Sequence, residues 1–494
     1  MVDKSGQGFG ADKRSGFIGA GSNASRPGGL IRSFPLTVAR FKWVVLIVAL
    51  AAGLRLFGLA DHGLWLDERF SVSNAVGSVL AEPITTAPGA SFTPKDFWAR
   101  NTARNVMEAT IRQDSGNALL FNGLLHYWIV LFGTRDFFVR LLPALFGVAI
   151  VLLVYLLARA LCSERVARIA GLLAALHPFL IHFSQETRSY ALATSLSLAA
   201  TLIFVKLSVR RRPEKSFVWG YLLYGLVVAA ALLSHYLTVS IFLGHALFAV
   251  LSVRDRRVWL GLVSGALLAA LIVGLWMYAG GSRGLKVAES INRMYQKRAS
   301  TLRAGEDWSL PATPRNIVVG EIQMAFAMVG NLLPNAGLRF VALSPLLLIP
   351  LALLGACWRV RAEGEVESST LLLLIVLTVS APLFSALLAL RAGHIVSLQP
   401  LYANFAIPYL VILLAIGVAH VLKMSGPLKY AGRLLVLALA LLFLASIKLV
   451  YDDAPRFRPP NVYRASAERI MAATGPGETV DYSSWLDARL CNLY

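Results

Sequence analysis

The chain has 494 residues, 57% of them hydrophobic and only 15% charged, whereas soluble domains are roughly 45–50% apolar and about 25% charged. That composition excludes an ordinary soluble globule and makes the bilayer the solvent. The net charge of +20 does not point to nucleic acid, because the lysines and arginines flank apolar runs and no basic patch is interleaved with base-stacking aromatics.

Residues 1–40 are polar and glycine-rich, and are expected to form a disordered cytoplasmic tail. The apolar run that follows is too long for a signal sequence and lacks a small-residue cleavage pattern, so it reads as an uncleaved first span. A span takes about 20 apolar residues, and such runs lie near 41–60, 137–161, 166–183, 187–207, 217–234, 237–252, 257–279, 340–358, 370–390, 400–422 and 432–450. The stretch 217–253 contains no Lys, Arg, Asp or Glu and is too long for one span, so it is split at Ser234-His235-Tyr236 as a tight hairpin. The expected fold class is therefore an all-α polytopic membrane protein with about eleven transmembrane helices.

Orientation follows from the short loops. Arg165 and Arg168, Arg210 to Arg212, the arginines at 254, 256 and 257, Arg359, Arg361, Lys423, Lys429 and Arg433 all fall on one side, with the basic amino-terminal tail. That side is cytoplasmic, as in a bacterial inner membrane. A membrane domain over 41–450 then carries external segments at 61–136 and 280–339, followed by an external segment at 451–494. Within the first, 117–133 reads as an interfacial helix, and within the second, 317–333 reads as another. The last is expected to hold a helix near 463–473, a turn at Gly475-Pro476-Gly477 and a strand at 479–483, a small α/β tail.

Chemistry belongs in the external segments. Asp67 and Glu68 follow the first span beside Trp65, where desolvation raises a carboxyl pKa and equips it to accept a proton from a hydroxyl; a solvated helix cap is the plainer alternative. Glu186, Arg188 and Tyr190 sit between two apolar runs, where charge is costly and faces a cavity or a partner, and the Arg188 fork suits a phosphate oxygen; an ordinary loop ion pair competes with this. His126, His177, His182, His235 and His394 all lie near the external boundary, without the spacing of a metal site. Arg55 and Arg140 either snorkel to the interface or point into the cavity. Arg283, Lys286 and Arg293 lie in a basic external segment, against the orientation bias; an anionic lipid headgroup or lipid phosphate would explain them, as would simple exposure. Cys162, Cys357 and Cys491 give no disulfide framework or zinc spacing, and no phosphate-binding loop is present, so neither a metal nor another cofactor is indicated.

Several of these pieces together resemble the GT-C class of polyprenyl-phosphate-sugar-dependent glycosyltransferases, which includes protein O-mannosyltransferases, lipid A aminoarabinose transferase and Rgt-type galacturonosyltransferases. They are residues 64–69, Leu124-Leu125-His126-Tyr127-Trp128 through Phe132-Gly133, residues 140–147 and residues 178–190. The resemblance implies that Asp67 is the catalytic base, that Glu68 and Glu186 orient sugar or acceptor, and that Arg188 faces the donor phosphate. The chain departs from the family where a His-Pro-Pro run is replaced by Gly116-Asn117-Ala118, and where an Arg-Tyr pair is replaced by Leu401-Tyr402; Arg391 or His394 would then supply the missing phosphate contact. The implied partners are a polyprenyl-phosphate sugar donor, membrane lipids, and a glycan, lipid or protein acceptor. The competing functions are a lipid-linked polysaccharide ligase or polymerase, and a transporter or lipid flippase.

Overall fold

The computed structural model describes residues 38–79, 102–209, 217–301, 309–330, 352–355, 359–361, 366–452, 462–473 and 475. Two compact units divide the chain, Met1–Phe41 and Lys42–Tyr494, and the architecture is that of the second. The expected tail at 1–40 lies outside the described residues, apart from the start of α1 (Val38–Leu56). Most of the run at 340–358 and the expected strand at 479–483 also lie outside them.

Helices account for nearly all the described structure. After α1 come α2 (Leu66–Ala75), α3 (Ala103–Gln113), α4 (Leu119–Phe132), α5 (Asp136–Leu161), α6 (Glu164–Leu176), α7 (Pro178–Ser184) and α8 (Tyr190–Ser208). They are followed by α9 (Phe217–Ser234), α10 (Val239–Ser252), α11 (Arg256–Trp276), α12 (Arg283–Thr301), α13 (Pro314–Met328), α14 (Ser368–Ala392), α15 (Ile407–Val421), α16 (Leu428–Tyr451) and α17 (Val462–Ala473). Among the described residues no β-strand forms; an isolated antiparallel bridge joins Pro311 to His394.

Among the described residues five helices are long and apolar enough to cross a membrane, those beginning at Asp136, Tyr190, Arg256, Ser368 and Leu428, and a bent pair makes a sixth if it is one span. The bent pair corrects the straight span expected at 166–183: α6 and α7 meet at 57°. Pro178 is the cause. It disfavours helical geometry at the preceding residue, and His177 is extended at φ −68°, ψ 115°. The split at 234–236 does occur, but α9 packs on α8 and α11, whereas α10 packs chiefly on α14. Small residues allow the contact of α9 with α11, since a Cβ at Gly225 would stand 2.4 Å from the Gly265 carbonyl oxygen. α15 is apolar and buried nearly all round, as expected of a helix at the centre of a bundle.

A second, smaller apolar cluster sets the position of α2 and α4. Leu64, Val72 and Ala75 from α2 and its approach pack with Phe121, Leu125 and Ile129 of α4, and with Val139 and Leu142 of α5. The expected interfacial helix at 117–133 corresponds to α4, and the one at 317–333 to α13.

Candidate active site

Two buried arginines build the frame of the site. Arg55, fully buried in α1, neither snorkels nor lines a cavity: its guanidinium donates to the carbonyls of Ala51, Ala174 and Ala175 at 3.2–3.3 Å. It therefore satisfies carbonyls left open at the carboxyl end of α6, where Pro178 breaks the helix, and its charge favours that end of the helix dipole. Gln185, just after α7, donates Nε2 to the carbonyls of Arg55 and Phe57 at 3.1 and 2.8 Å. Gly147 lets α7 approach α5, because a Cβ there would lie 2.0 Å from Ser184 Oγ.

Arg140 of α5 is the second frame arginine. It donates Nε and Nη2 to the two oxygens of Glu68 at 2.8 and 2.7 Å, and Nη1 and Nη2 to the carbonyls of Leu59, His62 and Gly63 at 2.6–3.1 Å. Glu68 also accepts from the Thr187 N–H at 2.9 Å and the Trp65 N–H at 3.1 Å. Burial alone would raise the Glu68 carboxyl, but the charge and hydrogen bonds of Arg140, with those two amides, hold it below the usual carboxylate range. Both Glu68 oxygens are thus occupied by protein donors. The pair ties the start of α2 to α5 and to the 185–189 turn.

Asp67, one residue earlier, is different. Among the described residues no hydrogen bond occupies its carboxyl oxygens. Burial pushes that carboxyl above its ordinary 3.8; nearby Glu186, Asp114 and Glu68 push the same way, while Arg188 pulls it down. Arg188 reaches the same place from the 185–189 turn, its Nη1 lying 3.4 Å from the Asp67 carbonyl, 3.2 Å from Ser71 Oγ and 3.7 Å from Asp114 Oδ1. Burial opposes its charge, but Asp114 and Asp67 keep the guanidinium protonated. Its Nε is buried with no hydrogen-bond partner, a donor open to an anionic oxygen.

Around this centre stand polar and aromatic groups. Glu186 faces His182 one helical turn back, with Oε1 3.0 Å from Nε2. The Tyr190 and His235 rings are 5.4 Å apart, and Tyr402 lies 6.2 Å beyond His235. Burial and the charge of Arg188 push His235 down to about 3, so it is a neutral imidazole.

Sequence reasoning placed Asp67, Glu186, Arg188, Tyr190 and His235 here, and the structure brings these five together. It sends others elsewhere. His126 Nδ1 meets the Ala75 carbonyl at 2.8 Å, fixing the end of α2. His394 Nε2 lies 2.8 Å from Asn292 Oδ1 on α12, and Arg391 is exposed at the last turn of α14. The segment carrying Arg283, Lys286 and Arg293 is the exposed helix α12; Arg283 is paired with Glu108 and Arg293 with Glu289. Two residues were missed, Asp114 and Ser71, and Tyr402 was noted only as a departure from a pattern. Asp114 carried a usable signal: a carboxylate just ahead of Gly116-Asn117, where an apolar helix opens.

Comparison with known proteins follows the same outline. Residues 117–279 match the family of dolichyl-phosphate-mannose-protein mannosyltransferases. A search among curated proteins finds no match to the sequence. Among solved structures, ArnT from Cupriavidus metallidurans bound to undecaprenyl phosphate is similar over 91% of this chain and 84% of that one, with a TM-score of 0.57 and 14% identity. The apo oligosaccharyltransferase of Archaeoglobus fulgidus is similar over 91% of this chain, with a TM-score of 0.53 and 15% identity. AglB from the same organism, in complex with an inhibitory peptide and a dolichol-phosphate, has a TM-score of 0.51 at 14% identity and is covered over 92% of this chain. This chain spans 63% of the length of each of these archaeal enzymes. Residues 117–279 are thus similar to the mannosyltransferase family, and the fold of the chain is shared with ArnT and AglB.

Proposed function

We propose that this protein is an inverting glycosyltransferase that moves a sugar from a polyprenyl-phosphate donor to a lipid, glycan or protein acceptor at the external face of the membrane. The observation that carries this reading is the meeting of an unoccupied, desolvated carboxylate, Asp67, with a buried guanidinium that keeps a free donor, Arg188. The relatives agree in their ligands, since ArnT is bound to undecaprenyl phosphate and AglB to a dolichol-phosphate.

In the proposed reaction Asp67 takes the proton of an acceptor hydroxyl as its oxygen attacks the anomeric carbon from the face opposite the phosphate. The bond from that carbon to the phosphate oxygen breaks, and its electron pair leaves on the polyprenyl phosphate. One displacement inverts configuration. Arg188 stabilises the charge growing on the leaving phosphate, a preorganised term of about 3–4 kcal/mol for a well-placed donor. Glu186, backed by His182, orients the acceptor. Glu68 acts through Arg140 by fixing the turn that carries Asp67, because its own oxygens already hold four protein donors. Arg188 supplies the fixed cation among these carboxylates, so the reading requires no divalent metal. The basic face of α12 serves the anionic lipid surface, in an eleven-span topology with a cytoplasmic amino terminus and a periplasmic site.

The test gives purified protein in lipid nanodiscs a set of polyprenyl-phosphate sugars with candidate acceptors, and follows free polyprenyl phosphate. Its release in step with glycosylated acceptor supports the transferase. In vesicles, translocation of the intact donor without breakdown makes the protein a transporter instead.

A further inference from the structure

The loop that carries Asp114 is held in an unfavourable backbone conformation. Ser115 and Ala118 have φ of 55° and 59°, and Gly116 between them has 76°. Left-handed geometry at two non-glycine residues persists only where the surroundings enforce it. Here the surroundings are visible: the Tyr236 N–H donates to Asn117 Oδ1 at 2.9 Å, the Tyr236 hydroxyl donates to the Gly116 carbonyl at 2.6 Å, and Trp276 Nε1 donates to that hydroxyl at 3.0 Å. From the other side Asn74 Nδ2 donates to Asp114 Oδ2 at 2.8 Å, and Gln113 Nε2 donates to Asn74 Oδ1 at 2.6 Å. The Asp114 carboxylate is therefore locked in place by groups outside the Asp67 and Arg188 pair.

It is locked at a distance. Asp114 Oδ1 stands 3.7 Å from Arg188 Nη1, beyond a hydrogen bond, whereas Glu68 and Arg140 close to 2.7 Å in the same protein. A carboxylate serving only to anchor an arginine would close on it in the same way. This one supplies charge without occupying the fork, and leaves Arg188 Nε without an acceptor.

We propose that Asp114 is the counter-charge that frees Arg188 from the spent lipid phosphate, an inference that rests on Arg188 being the phosphate contact. The donor is a phosphodiester with a single negative charge. The product, polyprenyl phosphate, is a monoester carrying about −1.5 to −2. An arginine alone holds the product more tightly than the donor and stalls turnover. A fixed carboxylate beside it penalises the extra charge of the product more than the single charge of the donor, and retakes the guanidinium as the phosphate leaves. Asp114 is thus a positioning and product-releasing residue that does not touch the reacting atoms.

The experiment measures inhibition by polyprenyl phosphate and the donor KM for the wild type, Asp114→Asn and Asp114→Glu. Asn keeps the shape and an acceptor for Asn74 but removes the charge. The expected result is polyprenyl phosphate inhibition tightened on the order of tenfold in Asp114→Asn, with a smaller change in donor KM, a lower kcat, and restoration towards wild type in Asp114→Glu. An unchanged ratio of product to donor affinity, or weaker product inhibition, overturns the inference and leaves a structural anchor. If Asp114→Asn does not assemble, Asp114→Ser supplies the same comparison. Failure of the wild type to bind polyprenyl phosphate at all would instead remove the transferase reading on which the inference stands.

Discussion

Two charged networks lie side by side in this protein and are built in opposite ways. In the first, Glu68 and Arg140 fill each other's hydrogen-bonding capacity and that of the surrounding backbone. In the second, one residue away, Asp67, Arg188 and Asp114 approach without saturating one another. A closed network is rigid and inert, whereas an open one keeps capacity for a ligand. The comparison teaches that adjacent carboxylates, identical in charge and placed on one helical turn, take different roles according to how many donors the fold has already supplied.

The sharpest break between the two networks comes from Asp67→Asn. Loss of the proposed base is expected to lower transfer about 10²- to 10⁴-fold while leaving thermal stability unchanged, as read by sugar transfer and by unfolding in detergent. The wild-type rate should also fall as pH drops through a value above the ordinary carboxyl pKa of 3.8, since in the proposed role Asp67 must be ionised to accept a proton and its pKa is raised. Arg140→Ala should do the reverse of the first variant. It strands Glu68 as a buried charge and is expected to destabilise the fold by about 3–5 kcal/mol, measured as a lowered unfolding temperature. Arg188→Lys keeps the charge but loses the planar fork, and should raise the donor KM about tenfold with little effect on stability. Gly147→Ala forces a methyl onto Ser184 at the joint between α5 and α7, with an expected cost of about 1–3 kcal/mol. Lys286→Ala, on the exposed face of α12, should alter stability by less than about 0.5 kcal/mol.

What was legible in the sequence follows from what each signal encodes. Apolar run length is a direct statement about bilayer thickness, so the helices at 136–161, 190–208, 368–392 and 428–451 were placed within a few residues, and the break at 234–236 could be read from an over-long run. Hydropathy says nothing about a bend inside a run, and Pro178 was read through. Asp67 and Arg188 stood out because charge beside apolar sequence is costly. The same reasoning could not separate Asp67 from Glu68, or find that Arg55 caps the end of α6, since those roles depend on partners 70 to 130 residues away. Asp114 escaped notice for the same reason. Its meaning depends on Arg188, on Asn74, and on a strained turn that Tyr236 and Trp276 pin from the far side of the chain.

A structure of the protein with bound polyprenyl phosphate would bear most directly on the open network. The expected result is a phosphate about 3 Å from the Arg188 guanidinium, with Asp67 facing it across the width of one sugar. A phosphate seated on the basic face of α12, with Arg188 and Asp67 left empty, would contradict it.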